Sequence, residues 1–184
     1  MKSLILAAGV AALVIPLSAA TPAVLSIGGP LSRLCYESAL GRDDRDSAVN
    51  SCTLALEQEP LSKSDRAATF VNRGILSMMR GQSSNADADF DAAVALDRDL
   101  PDPWLNKGFL RLRQGDGRAA LPFLQEGISR KPQREALAIF ARGVAYEQMG
   151  QFRSAYSDLR RAHELEPRWS LPSEYLERYQ VRTR

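Results

Sequence analysis

The chain has 184 residues, 45% hydrophobic and 25% charged, the composition of an ordinary folded domain rather than of a disordered or fibrous one. Its 24 Lys and Arg against 22 Asp and Glu leave a net charge of +2, too weak a field to capture nucleic acid or an anionic membrane by itself. A single histidine, His163, excludes any site that needs a pair of imidazoles.

At the start, Lys2 precedes an apolar run over residues 4–17 that contains Gly9 and Pro16, and the small residues Ser18, Ala19 and Ala20 follow. That order is the pattern of an export signal, with the cut after Ala20 and before Thr21 and Pro22. The alternative is an uncleaved anchor, but Pro16 leaves the run short of the roughly 20 residues a spanning helix needs. Residues 1–20 are therefore expected to be a signal peptide and 21–30 a linker, and the rest periplasmic or secreted with no stable membrane insertion. Ser32, Arg33 and Leu34, ahead of Cys35, are a poor lipoprotein processing box. In an oxidising compartment the two cysteines, Cys35 and Cys52, are expected to pair; the alternative is two buried thiols acting as small hydrophobes.

Beyond the linker the chain repeats itself. Gly74 and Gly108 are 34 residues apart, as are Gly81 and Gly115, Ala86 and Ala120, and Phe90 and Leu124. A further copy, one residue longer, carries Gly143, Gly150, Ala155 and Leu159, and Pro132 and Pro167 close the last two copies. In chain order the divisions are 31–63, a degenerate first repeat with Cys35, Tyr36, Ala48, Cys52, Ala55 and Pro60 on the register but no glycine, then 64–100, 101–135 and 136–169. Residues 170–184 read as a capping helix over about 172–180, with Tyr175, Leu176 and Tyr179 inward, and a tail. Ser64 and Asp102 are candidate helix N-caps, Pro103 suits a first helical position, Asp116 caps a second helix, and Gly81, Gly115 and Gly150 fall in tight turns.

The pattern of a large residue, a glycine, an aromatic site, an alanine, a second large residue and a closing proline resembles the tetratricopeptide repeat family over roughly residues 31–167. Trp104, Gly108, Ala120, Leu124 and Pro132 carry it in one copy, and Gly143, Tyr146, Ala155, Leu159, Ala162 and Pro167 in the next. The resemblance implies an all-α fold, a right-handed superhelical stack of antiparallel helix pairs, each pair supplying half of its neighbour's core. In it the glycines face Ala86, Ala120 and Ala155, while Phe70, Trp104 and Ile139 with Phe90, Leu124 and Leu159 fill the space between pairs. On this register Cys35 and Cys52 stand opposite each other, and a bridge there stabilises by about 3 kcal/mol. One departure recurs: the leucine usual before each glycine is Arg73, Lys107 or Arg142.

No constellation of catalytic residues, phosphate loop or metal motif accompanies the repeats, so no enzyme and no cofactor is expected. Asp87, Asp89 and Asp91 alternate like calcium ligands, but Ala86 and Phe90 among them follow the helical register and the loop glycine is missing. His163 suits the end of a helix. What the resemblance implies instead is a concave groove that binds a protein or an extended peptide. Asn72 and Asn106 are expected to hold its backbone, with Ile75, Phe109, Val144, Val71, Leu105 and Phe140 contacting its side chains; the alternative has the asparagines bonding locally and the apolar residues inside the core. The function read from the chain is a non-catalytic binding scaffold or adaptor of the cell envelope. A competing reading is a structural component that self-associates through its terminal helices, and the chain is expected to be a monomer or weak homodimer. An RNA reader of the pentatricopeptide kind is disfavoured by export and by the near-neutral charge.

Overall fold

The structure is a computed structural model and describes residues 3–6, 23–25 and 28–182. The expected signal and its cut after Ala20 lie outside the described residues except for residues 3–6. Helices come in successive antiparallel pairs: α1 (Pro30–Gly41) with α2 (Asp46–Gln58), α3 (Lys63–Met79) with α4 (Ser83–Leu96), α5 (Pro101–Arg113) with α6 (Gly117–Ser129), and α7 (Glu135–Gln148) with α8 (Phe152–Leu165). A short α9 (Ser170–Leu176) packs on α8. The first helices of the pairs touch in sequence, α1 on α3, α3 on α5 and α5 on α7, so they form one wall of the stack. The fold is the all-α stack of helix pairs that the repeat implies.

Local chemistry sets the ends of the helices. Gly81, Gly115 and Gly150 close the turns between paired helices with φ of 73°, 77° and 71°, the left-handed region that a side chain disfavours. The Asp116 carboxylate accepts from the Ala119 N–H at 2.8 Å and caps α6. For α3 the cap is Ser62, accepting from Asp65 N–H at 3.1 Å, rather than Ser64, which lies inside the helix. Asp102 also falls within a first turn, because α5 already starts at Pro101.

The repeated small and large sites interlock differently from the simplest expectation. A Cβ on Gly74 would sit 2.5 Å from Phe90 Cε1, and one on Gly108 would sit 2.5 Å from Leu124 Cδ2. At these glycines the large residue of the paired helix is the nearest neighbour that a side chain would meet. At Gly143 the alanine is itself among the nearest groups, through the Ala155 carbonyl at 3.3 Å. Ala86, Ala120 and Ala155 are nonetheless fully buried. Two clusters make up the core, one around Val71, Ile75 and Phe90 that includes the cysteines, the other around Phe109, Leu124, Phe140 and Leu159. Cys35 of α1 and Cys52 of α2 form a disulfide, which ties the end pair together where it has a neighbour on one side only.

The C-terminal cap is shorter than expected. The helix stops at Leu176, and β2 (Tyr179–Arg182) pairs antiparallel with β1 (Ser3–Leu6), with Ser3 opposite Arg182 and Leu6 opposite Tyr179. Arg178 and Tyr179 explain the stop. Both reach the buried Glu147 carboxylate of α7, the guanidinium at 3.1 Å and the phenol O–H donating at 2.8 Å. Consecutive helical side chains diverge by about 100° and would not converge on one oxygen. Burial, followed by the bonded Glu147 carboxylate, raises the Tyr179 phenol pKa, so the hydroxyl stays a donor. Tyr175 completes the cap by stacking edge-on against Phe140 at 4.9 Å.

Candidate functional site

The expected groove has one wall that can be traced residue by residue. Ahead of α1, Gly28 and Gly29 let the chain pass where a side chain cannot fit: a Cβ on Gly28 would run into Leu61 and Ser32, and one on Gly29 into Glu59. Glu59, at the end of α2, takes the place of an N-cap for α1. Its carboxylate accepts from the N–H groups of Gly29, Leu31 and Ser32 at 3.2, 2.6 and 3.1 Å. Burial pushes this carboxyl up, but the hydrogen bonds from Ser32, Leu31 and Gly29 outweigh it and hold its pKa below the usual range. With α1 anchored in this way, residues 23–25 lie back along α3.

There Asn72 grips them. Its Oδ1 accepts from the Val24 N–H at 2.8 Å and its Nδ2 donates to the Val24 carbonyl at 2.7 Å. One amide thus satisfies both backbone groups of one residue, which only a side chain with a donor and an acceptor side by side can do. Ala23 and Val24 pack on the core cluster beneath, while Leu25 is 60% exposed.

Beside this segment opens a cavity of about 620 Å³, bounded by residues 23–25, Tyr36 and Leu40 of α1, Asp102 and Leu105 of α5, and residues 130–134 with Leu137 of α7. Contact with α1, α5 and α7 together places it on the wall made by the first helices. Lys131 and Arg134 stand exposed at its rim. Asp102 has no ion-pair partner among the described residues, and burial lifts its carboxyl to a pKa of about 6.

Asn106 stands 34 residues after Asn72, and its surroundings differ. It is fully buried, its Nδ2 donates to the Asp102 carbonyl at 2.9 Å, and its Oδ1 has no hydrogen-bond partner among the described residues. The apolar residues expected to line the groove are core in this structure: Val71, Ile75 and Val144 are 0% exposed, and Leu105, Phe109 and Phe140 are 1% exposed. In a short stack their side chains are used up by the neighbouring first helices and by the overlying segment. Of the six, Leu105 alone also borders the cavity.

Sequence reasoning noticed Arg73, Lys107 and Arg142 but missed their partners. Arg73 makes a side-on pair with Asp89, Nε to Oδ2 at 3.0 Å and Nη2 to Oδ1 at 2.7 Å. Arg142 does the same with Asp158 at 2.7 and 2.9 Å. Each pair ties a first helix to its second across 16 positions. At the equivalent place for Lys107 stands Phe123, whose ring the ammonium covers at 5.1 Å. Lys107 therefore turns back to the preceding pair, bonding Asp91 at 2.5 Å and lying 3.0 Å from Asp87 Oδ1, off the hydrogen-bond direction. Arg111 bonds the other oxygen of Asp87 at 2.7 Å. Burial raises the Asp87 carboxyl, but Arg111 and Lys107 outweigh it and hold it below the usual range. The alternating acids of α4 thus face cations of two helices, Asp89 toward Arg73 of α3 and Asp87 and Asp91 toward Lys107 and Arg111 of α5, each serving to join helices.

Residues 136–168 match the family model for the tetratricopeptide repeat. No curated protein matches the chain in sequence. Among solved structures the chain is similar to the Arabidopsis OM64 TPR domain, at TM-score 0.59 and 18% identity, over 64% of this chain and 96% of that one. It is also similar to residues 41 to the end of MamA from Desulfovibrio magneticus RS-1, at TM-score 0.63 and 20% identity over 80% and 82% of the two chains. A double mutant of MamA RS-1 gives 0.64 and 21% over the same shares. One repeat of the chain thus matches the family model for the tetratricopeptide repeat, and its stack of helix pairs shares the fold of a known tetratricopeptide domain.

Proposed function

We propose that the chain is a non-catalytic adaptor of the cell envelope, periplasmic or secreted, that takes an extended segment of a protein partner on the wall formed by α1, α3, α5 and α7. The observation that carries this reading is the Asn72 amide, which holds the backbone of Val24 by both of its polar groups. Such a bond reads conformation rather than sequence, and pockets for alternate side chains add selectivity. The cavity beside it supplies apolar walls at Leu40, Leu105 and Leu137 and a basic rim at Lys131 and Arg134. Tetratricopeptide repeat proteins act in general as scaffolds for protein–protein contact, which agrees with this arrangement. The Cys35–Cys52 bridge supports an oxidising location, where a disulfide persists. Among the described residues no helix is long and apolar enough to cross a membrane.

Self-association through the end of the array has less to stand on. Tyr175 and Tyr179 are 8% and 7% exposed and are committed to the stack's own core. The test of the adaptor reading is a photo-crosslinking amino acid in place of Leu40, which is 61% exposed and borders the cavity, in cells of the native host. A discrete adduct with an envelope protein, lost on Asn72→Ala, is the expected result. Adducts unchanged by Asn72→Ala, or none at all, would remove the groove as the binding surface.

A further inference from the structure

We infer that residues 23–25 are an internal occupant of the peptide site, so that a partner strand must displace them, and that the site selects a non-proline aliphatic residue in an extended backbone. The inference rests on the adaptor reading above and adds to it what the site takes and what keeps it closed.

The geometry is that of a bound ligand supplied in cis. Val24 is separated from Asn72 by 48 positions, yet both of its backbone polar groups end on that one amide. A segment that merely crossed the surface would leave them to water. Its side chain is half buried against the core cluster, and Leu25 points outward, so one position is read and the next is not. Only a few residues separate Val24 from the folded array, where Gly28 and Gly29 pass between Leu61, Ser32 and Glu59, and Glu59 holds the start of α1. A tether of this kind presents the segment to Asn72 at high effective concentration, so a free peptide of the same sequence competes poorly. The requirement for a donor at the clamped residue excludes proline there, because Asn72 Oδ1 would be left buried without a partner. The same contact persists after the expected cut behind Ala20, since residues 23–25 lie downstream of it.

The test uses the full chain and a labelled peptide of residues 21–29, followed by fluorescence anisotropy. Val24→Pro removes the N–H that Asn72 accepts and so frees the site. If the closed form leaves about one molecule in ten open, the freed site binds the peptide about tenfold more tightly than the wild type does. That gain, its loss on Asn72→Ala in the same chain, and the failure of a peptide with proline at the Val24 position are the expected results. Equal affinity for wild type and Val24→Pro overturns the internal occupant while leaving the groove itself standing, as does an absence of binding by both when the Leu40 crosslink still forms. Should Val24→Pro not fold, amide hydrogen exchange at Val24 in the wild type decides the matter. Faster exchange when the peptide is saturating supports displacement, and unchanged protection with peptide bound overturns it.

Discussion

Asn72 and Asn106 stand at one site of successive repeats, within the matched triplets Asn72-Arg73-Gly74 and Asn106-Lys107-Gly108, and both are fully buried. Asn72 grips a strand by both ends of its amide. Asn106 instead donates to a carbonyl one turn back in its own helix, and its Oδ1 has no hydrogen-bond partner among the described residues. The repeat places the amide in the wall; the chain that crosses it decides what the amide does. A buried acceptor without a partner costs about 1–3 kcal/mol, so the two positions make unequal contributions to stability although their residues are identical.

The residue after each asparagine should separate the two repeats most. Arg73→Ala leaves the Asp89 carboxylate, 8% exposed, without its counter-ion and should cost about 3 kcal/mol. Lys107→Ala leaves Asp87 with Arg111 and Asp91 at 64% exposure in water, and should cost about 1 kcal/mol, mostly from lost packing on Phe123. Urea unfolding of the two variants measures the difference; equal losses would show that the paired cations do not act as described. Next in size is the amide itself. Asn72→Ala removes two hydrogen bonds and strands the polar groups of Val24, about 2 kcal/mol, whereas Asn106→Ala removes one local bond together with an unpartnered oxygen and should cost under about 1 kcal/mol. A reversed order would mean that the overlying segment does not contribute to the fold in solution.

Much of this could be read from the chain because it is periodic. Gly74, Gly108 and Gly143 recur with Phe90, Leu124 and Leu159 at a constant offset, and a constant offset between two helices is a contact. The pairing of Cys35 with Cys52 follows from the same register. The cation pairs carried a signal that went unread: Arg73 with Asp89 and Arg142 with Asp158 share that offset of 16, and Phe123 breaks it for Lys107. Burial of Ile75, Phe109 and Val144 was harder to see, since a helix face that lines a groove in a long array becomes core where neighbouring first helices converge over a short one. Nothing periodic points from Val24 to Asn72. Residues 23–25 precede the first repeat, and a contact made once has no second copy to reveal it.

The smallest predicted effect is a dependence on pH that only the second of the two asparagines should feel. The carbonyl that Asn106 bonds belongs to Asp102, whose carboxyl is lifted by burial to a pKa of about 6. A raised carboxyl binds its proton more tightly in the folded chain than in the unfolded one. The folded state therefore loses stability as pH rises from about 4 through about 6, and the loss is complete above that range. Partial exposure and the favourable position of an anion in the first turn of α5 offset some of it, leaving about 1 kcal/mol. Asp102→Asn should recover that amount at pH 7.5, change little at pH 4, and flatten the unfolding free energy between them. The Asn72 clasp, which has no titrating group in its bonds, should give the same cost for Asn72→Ala at both pH values. A wild-type chain whose stability is level across that interval would mean that the Asp102 carboxylate is solvated, and the cavity beside Leu105 would then be wide enough for water to reach it.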